Sequence, residues 1–241
     1  MFLRRTHVEK YTEREVIYSE DHWSLLQEKR AIAEEIMRYL LRNNITPYLF
    51  GSVARGDIHR DSDIEIIIFE HSLLTYVDII LAQKYDIIER EIIQATPRAA
   101  IKVIFRLSDL VEIVVPAVPL TKIEHEFYRY GGLIEPPQAY NYRKRVPGVN
   151  KRLCMIIPTE RGHMEWSIIG RESEVIRILG VSPELIEERK RVLMQRDARG
   201  RTGVYLSVKV DPDEDIYSIL RRIRDRDPAI KRLFKLRGVS I

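Results

Sequence analysis

The chain of 241 residues contains one cysteine, few aromatic residues (8%) and no uninterrupted apolar run of membrane-spanning length. Cys154 cannot form a disulfide within the chain, and its apolar neighbours indicate a buried, inert thiol. The N-terminus lacks an apolar segment of signal-peptide length, so we expect a cytoplasmic protein without membrane contact. Six histidines scattered around one cysteine do not support a zinc site. What remains is a charged, globular composition, with 45% hydrophobic and 32% charged residues.

Charge is distributed unevenly along the chain. Residues 151–241 contain 20 Lys and Arg against 14 Asp and Glu, a net charge of +6, whereas residues 1–150 contain 20 against 22, a net charge of −2. A basic C-terminal part suits a polyanionic partner. The segment 136–150 is rich in Pro, Tyr and Arg, as is typical of a linker. We therefore predict an N-terminal domain at 1–135, a linker at 136–150 and a basic C-terminal domain at 151–241.

Hydrophobic periodicity predicts helices and strands in both parts of the chain. In the front part we expect a helix at 20–43, strands at 45–50 and 63–69, and a hairpin with arms at 101–107 and 110–115. In the back part we expect strands at 153–157, 164–169 and 204–210, and helices at 172–179, 183–195 and 215–226. The predicted fold class is α/β of the mixed (α+β) kind: a mixed sheet flanked by helices, with a smaller C-terminal α+β domain.

The segment from Tyr48 to Phe69 carries the strongest chemical signal. Asp63 and Glu65 are one residue apart on a predicted strand, so their side chains point to the same face. Two neighbouring carboxylates repel each other, and a divalent cation is the simplest group that would hold both ionised. Upstream, Gly51-Ser52 ends an apolar strand and opens a short helix, where backbone N–H groups can approach a phosphate.

Glu112 is a lone acid in the apolar second arm of the predicted hairpin. A carboxylate in so apolar a strand requires a partner. An ion pair with Lys102 or Arg106 across the hairpin would supply one, and a bound metal ion would supply another. The residues alone leave both alternatives open.

The motifs Gly51-Ser52, Ala54-Arg55-Gly56 and Ser62-Asp63-Ile64-Glu65 resemble the signature of the DNA polymerase β-like nucleotidyltransferase superfamily. That signature is Gly-Ser, a spacer of about ten residues, and Asp-x-Asp or Asp-x-Glu on a strand. The resemblance covers residues 48–112, up to a third acid. The segment Pro158–His163 and the helical pair after it are similar, more loosely, to archaeal predicted nucleotidyltransferases.

The resemblance implies transfer of a nucleoside monophosphate from an NTP, with ATP as the default donor, to a hydroxyl of RNA, protein or a small molecule, with release of pyrophosphate. It implies two Mg²⁺ ions, with Mn²⁺ as a substitute, and assigns roles to six residues. The implied metal ligands are Asp63, Glu65 and Glu112, with Asp109 as the alternative third acid. Gly51 and Ser52 would contact the phosphates, and Arg55 would assist them. Glu65 and Glu112 stand where the family more often has Asp. The longer Glu side chain is more mobile, and Mg²⁺ tolerates mobile ligands poorly.

The C-terminal part leaves two interpretations open. Two helices joined by Gly180-Val-Ser182, with Arg199 and Arg201 after them, resemble a winged helix-turn-helix that contacts nucleic acid. Acidic residues in the first turns of the second helix suit the helix dipole but are poorly placed for phosphate, so they favour instead two helices that only pack against each other. The rival functions are accordingly a nucleic-acid-binding regulator on a nucleotidyltransferase-like fold and, ranked last, an antitoxin-type partner module. A homodimer is compatible with each of them.

Overall fold

The structure is a computed structural model that describes residues 13–199 and 203–241, with the side chains of all of these except 196–199. The strands there are β1 Arg14–Ile17, β2 Pro47–Phe50, β3 Ile64–Ile68, β4 Glu89–Gln94, β5 Lys102–Ser108, β6 Val111–Pro116, β7 Leu133–Ile134, β8 Gly148–Val149, β9 Cys154–Thr159, β10 Gly162–Ser167 and β11 Leu206–Val210. The α-helices are α1 Glu20–Arg42, α2 Ser52–Arg55, α3 Leu74–Ala82, α4 Lys122–Gly131, α5 Glu172–Leu179, α6 Pro183–Arg199, α7 Ile216–Arg226 and α8 Pro228–Leu236. This composition confirms the predicted mixed α+β class. No helix in the described ranges is long and apolar enough to cross a membrane.

The longest helix, α1, follows the predicted signals at both ends. The Ser19 hydroxyl accepts a hydrogen bond from the N–H of His22 (3.3 Å), which satisfies one of the free donors of the first turn. Arg42 lies in the last turn, where a cation complements the helix dipole. Asn44 then adopts a positive φ of 58°, which ends the helical path. The helix predicted at 20–43 is confirmed.

One compact unit is formed by the described residues within 1–36, 48–64 and 125–202. It contains an antiparallel sheet with the strand order β1-β10-β9-β8, and β2 pairs with β7. Its core joins β9, β10, α5 and α6, because each contributes apolar residues to one buried cluster. That cluster contains Tyr130, Val149, Leu153, Met155, Trp166, Ile168, Val175, Leu179, Val181, Leu185, Ile186 and Leu193.

The second unit is formed by residues 37–47, 65–124 and 203–241. Its strands lie in the order β11-β4-β5-β6-β3, and the three pairs from β11 to β6 are antiparallel. Because side chains alternate along a strand, the two faces of this sheet differ. One face is buried and apolar, with Ile92, Val103, Phe105 and Ile113. The other face is partly exposed and carries Glu89, Glu91, Arg106 and Glu112.

These units do not follow the predicted division into 1–135, 136–150 and 151–241. Pairing between distant strands is the reason: β1 pairs with β10 in the first unit, and β11 pairs with β4 in the second. Residues 151–241 are therefore divided between the units. Strand β11, predicted at 204–210 directly after the possible basic wing, belongs to the sheet of the second unit. The C-terminal domain at 151–241 and its winged-helix-like form therefore stay a prediction, which this division into units does not support.

Candidate active site

The turn between β2 and α2 has the geometry that the Gly-Ser motif predicts. Gly51 has a φ of 82°, which glycine adopts without the steric cost that other residues incur. Its N–H donates to the carbonyl of Gly132 (2.9 Å), and its own carbonyl accepts from the N–H groups of Ala54 and Arg55 (3.1 and 3.0 Å). Ser52, the first residue of α2, is partly exposed. The strand–turn–helix is confirmed, and its contact with phosphate stays a prediction.

The guanidinium of Arg55 lies inside the fold, where its hydrogen bonds are made to the protein itself. Its Nε and Nη2 donate to the two carboxylate oxygens of Asp57 (2.9 and 3.1 Å), and its Nη1 donates to the carbonyl of Gly131. Gly132 and Gly148 line the side chain so closely that a Cβ would lie 2.5 Å from Cγ and 2.9 Å from Cδ, respectively. Arg55 therefore supports the motif structurally, and this geometry does not favour the predicted role in assisting phosphate.

Arg30, on α1, holds α2 in place through backbone carbonyls, and no carboxylate pairs with it within the part of the chain that the structure describes. It is 1% exposed, and its guanidinium donates to four backbone carbonyls. These belong to Val53, Ala54, Ala139 and Lys144, at 2.7–3.1 Å. Burial lowers the pKa of Arg30 to about 10, with a smaller contribution from Arg145, so the side chain stays charged at neutral pH. An arginine held by carbonyls alone ties four backbone positions together.

The loop that leads to the two carboxylates is held by a second buried cation. Lys29, 5% exposed, donates from Nζ to the carbonyl of Ser62 (2.8 Å). The Ser62 hydroxyl accepts from the N–H of His59 (2.9 Å), and the N–H of Ser62 donates back to the carbonyl of His59 (3.0 Å). Asp63 follows directly, and it is partly exposed like Glu65, whereas Ile64 between them is buried. The alternation expected of a strand is therefore present at these positions.

Glu112 makes the ion pair that the sequence left as an alternative to a metal site. It lies directly opposite Arg106 in the pairing of β6 with β5, and its Oε1 accepts from Nε (2.9 Å). The same guanidinium pairs with Glu91 (2.9 Å) and with Glu89 on β4. Partial burial alone would lower the pKa of Arg106, but bonds and charges from Glu91 and Glu112 raise it. Three carboxylates thus converge on one arginine.

The fit of a divalent metal differs between the proposed ligands. No cluster of three or more His, Cys, Asp or Glu side chains suited to a metal ion occurs among the residues that the structure describes. Asp63 and Glu65 are partly exposed oxygen donors of the kind that Mg²⁺ prefers. Glu112 is bound to Arg106, and Asp109 is exposed in the hairpin turn. Metal binding by Asp63 and Glu65 stays a prediction, and the ion pair with Arg106 does not favour a centre that includes Glu112.

A second polar cluster, in the first unit, had no signal in the sequence. The Tyr18 hydroxyl lies 2.7 Å from Nδ1 of His163, whose Nε2 lies 3.7 Å from Oε2 of Glu165. Arg14 donates from Nε to the other carboxylate oxygen (2.5 Å). His163, and then Arg14, lower the pKa of Glu165 to about 2 against the effect of burial. Burial, followed by the charge of Asp57, raises the pKa of Tyr18, so this hydroxyl stays protonated. No local pattern links residues so distant in sequence.

The residues proposed for a nucleic-acid-binding wing cannot be placed. Arg201 and the side chain of Arg199 lie outside the described residues. The helices before them, α5 and α6, share the buried core of the first unit, and Lys190 on α6 pairs with Glu172 on α5 (2.5 Å). Packing of this pair is therefore present, and its contact with nucleic acid stays a prediction.

A Gly-Ser turn that opens a short helix, followed by Asp-x-Glu at the start of β3, agrees with the predicted resemblance to nucleotide-transferring proteins. Residues 30–129 match the family model described as the nucleotidyltransferase domain. This match supports a transferase enzyme, and it confirms the predicted resemblance over residues 30–129. Neither a search of curated proteins nor a search of solved structures finds a match.

Proposed function

We propose that the protein transfers a nucleoside monophosphate from an NTP to a hydroxyl group. In this reaction the acceptor oxygen forms a bond to the α-phosphorus, the bond from that phosphorus to the bridging oxygen breaks, and pyrophosphate leaves with the electron pair. The observation that carries the proposal is the pair Asp63 and Glu65, partly exposed at alternate positions within the segment that matches the nucleotidyltransferase family. ATP is the default donor, and the acceptor is RNA, a protein side chain or a small molecule.

We assign the residues of the motif to distinct tasks. Gly51 leaves room for a phosphate to approach the backbone, and Ser52 offers a hydroxyl beside it. Asp63 and Glu65 would hold Mg²⁺, or Mn²⁺ in its place. The bound cation supplies charge neutralisation of the triphosphate and lowers the pKa of the acceptor hydroxyl. Lys29 and Arg30 keep the loop and the helix of the motif in position, so they are positioning residues.

Glu112 enters this proposal only conditionally. It becomes a third ligand, and allows the second ion that the resemblance implies, only where it leaves Arg106. We therefore expect Asp63 and Glu65 to matter more for transfer than Glu112 does.

The proposal is tested by incubating the protein with α-labelled NTPs and Mg²⁺ and measuring pyrophosphate release and label transfer. The isosteric double variant Asp63→Asn plus Glu65→Gln removes both charges. Loss of one catalytic electrostatic contact typically costs about 100-fold or more, so we expect at least that loss in pyrophosphate release. Asp61→Asn, an exposed acid of the same loop, is the matched control and should retain activity. Equal rates for the double variant and the wild type would refute the assignment.

A further inference from the structure

Helix α8 presents two chemically different faces. Ile230, Leu233 and Phe234 are buried, with exposures of 0–5%. Lys231, Arg232 and Lys235 are exposed on the other side. Helix α8, Pro228–Leu236, contains no acidic residue. Because residues one turn apart lie above each other on a helix, Lys231 and Lys235 project from the same stripe, separated by a rise of about 6 Å.

The cations of α8 differ from those of the preceding helix in having no acidic partner. Arg222 on α7 pairs with Glu214 (2.9 Å), and Arg224 pairs with Asp225 (2.8 Å). Arg221 lies 3.9 Å from Asp215. By contrast, the cation at the last position of α7 and the three on the exposed face of α8 form no ion pair with any residue that the structure describes. These cations are Arg226, Lys231, Arg232 and Lys235.

An exposed aromatic ring is anchored at the beginning of the same helix. Asp227 caps α8 by accepting hydrogen bonds from the N–H groups of Ala229 (2.8 Å) and Ile230 (3.3 Å). Its other carboxylate oxygen accepts from the hydroxyl of Tyr205 (2.6 Å). The tyrosine remains 42% exposed. The cap therefore holds an aromatic side chain next to the first turn of the basic helix.

We propose that this α8 surface, made of Tyr205, Arg226, Lys231, Arg232 and Lys235, binds single-stranded nucleic acid. Cations without acidic partners attract phosphates and release the counterions around them. An exposed ring beside a basic groove or face provides a platform on which an unpaired base stacks. A duplex offers phosphates but no free base face, so the combination favours a single strand. The inference goes beyond nucleotidyl transfer and does not depend on it.

Fluorescence anisotropy with a labelled single-stranded RNA of about 15 nucleotides tests the proposal. The triple variant Lys231→Gln, Arg232→Gln and Lys235→Gln removes three unpaired charges. Each phosphate contact contributes about 0.7 to the salt slope of single-strand binding, so the slope should fall by about 2, with affinity at least about tenfold weaker in low salt. The matched control, Arg221→Gln, Arg222→Gln and Arg224→Gln, removes the same charge from acid-paired positions and should weaken binding less than about threefold.

The aromatic part of the surface is tested separately. Tyr205→Leu should weaken binding of the single strand about fivefold or more without changing the salt slope, because a stacked ring carries no charge. Tyr76→Leu is the control, since Tyr76 lies on α3 in the same unit and is equally exposed (41%). Circular dichroism of each variant checks folding.

Three results would overturn the proposal: equal losses in the two triple variants, unchanged binding in the α8 variant, or a duplex of equal length bound as tightly as the single strand. The test of strand binding does not depend on whether the protein catalyses nucleotidyl transfer. The Asp63→Asn plus Glu65→Gln variant should bind the single strand as the wild type does, even where transfer is lost. Loss of binding in that variant would place the strand on the catalytic motif and not on α8.

Discussion

Glu112 and Arg106 face each other across β5 and β6, and a double-mutant cycle measures whether they act as a pair. The single changes are Arg106→Gln and Glu112→Gln, both of similar size to the original side chains. Arg106→Gln leaves Glu89, Glu91 and Glu112 without their shared cation, whereas Glu112→Gln leaves the arginine with two carboxylates. We therefore expect the arginine change to be the more destabilising of the two.

The expected coupling free energy between the two side chains follows from their contact and from their exposure to solvent. A hydrogen bond between charged groups contributes about 1.5–3 kcal/mol when it is buried. The Arg106 and Glu112 side chains are 27% and 23% exposed, so solvent screening reduces the value towards that of a surface pair. We expect a coupling free energy of about 1 kcal/mol, with losses of about 2 kcal/mol for Arg106→Gln and about 1 kcal/mol for Glu112→Gln.

Urea unfolding at neutral pH without divalent ions measures the three variants and the wild type. Arg90 provides the control, because it pairs with Asp78 (2.8 Å) and, as a neighbour of Glu89 along β4, projects from the opposite face. A cycle between Arg90→Gln and Glu112→Gln should show no coupling. A coupling below about 0.3 kcal/mol between Arg106 and Glu112 would refute the ion-pair interpretation and return Glu112 to the metal ligands.

The remaining predictions concern stability, measured by urea unfolding. Glu165→Gln should cost up to about 3 kcal/mol at pH 7. Because folding lowers the pKa of Glu165, the stability that it contributes is present above the ordinary pKa of 4.5 and is lost as the pH falls towards about 2. A difference in unfolding free energy between the variant and the wild type that does not change with pH would contradict this prediction. Arg30→Met should cost about 3 kcal/mol by leaving carbonyls unpaired, against less than about 0.5 for exposed Arg42→Met. Gly132→Ala should cost at least about 1 kcal/mol more than Gly170→Ala, since both have positive φ but only the first would clash; equal losses would contradict this.

Local patterns predicted the elements whose signals lie within a few residues of each other. The helix at 172–179 has the predicted bounds, and each of the four ends of the hairpin arms lies one residue later than predicted. The Gly51 turn also formed as expected, because a positive φ at glycine depends on nearby backbone alone. These are the cases in which propensity, periodicity and turn chemistry agree.

Those local patterns could not predict contacts between distant segments of the chain. Arg55 occupies the position at which the family motif suggests a phosphate contact, yet its partner carbonyl belongs to Gly131, 76 residues later. Arg30 bonds to carbonyls up to 114 residues away. The pairing of β11 with β4 likewise joins strands that no periodicity relates. A side chain's role follows from its three-dimensional partners, and hydrophobic periodicity does not encode which segments become neighbours.

Helix α8 was not among the predicted helices, although its own sequence contains the signals of one. Asp227 followed by Pro228 is a strong start signal, because aspartate caps the first N–H groups and proline suits the first helical position. The apolar residues Ile230, Leu233 and Phe234 then recur at helical spacing. Once that helix is assigned, its cations can be distinguished from those of α6, because α8 contains no acidic residue whereas the first turns of α6 are rich in acids. The basic excess of residues 151–241 would then have pointed to α8, where no acid offsets the charge, as the surface for a polyanion.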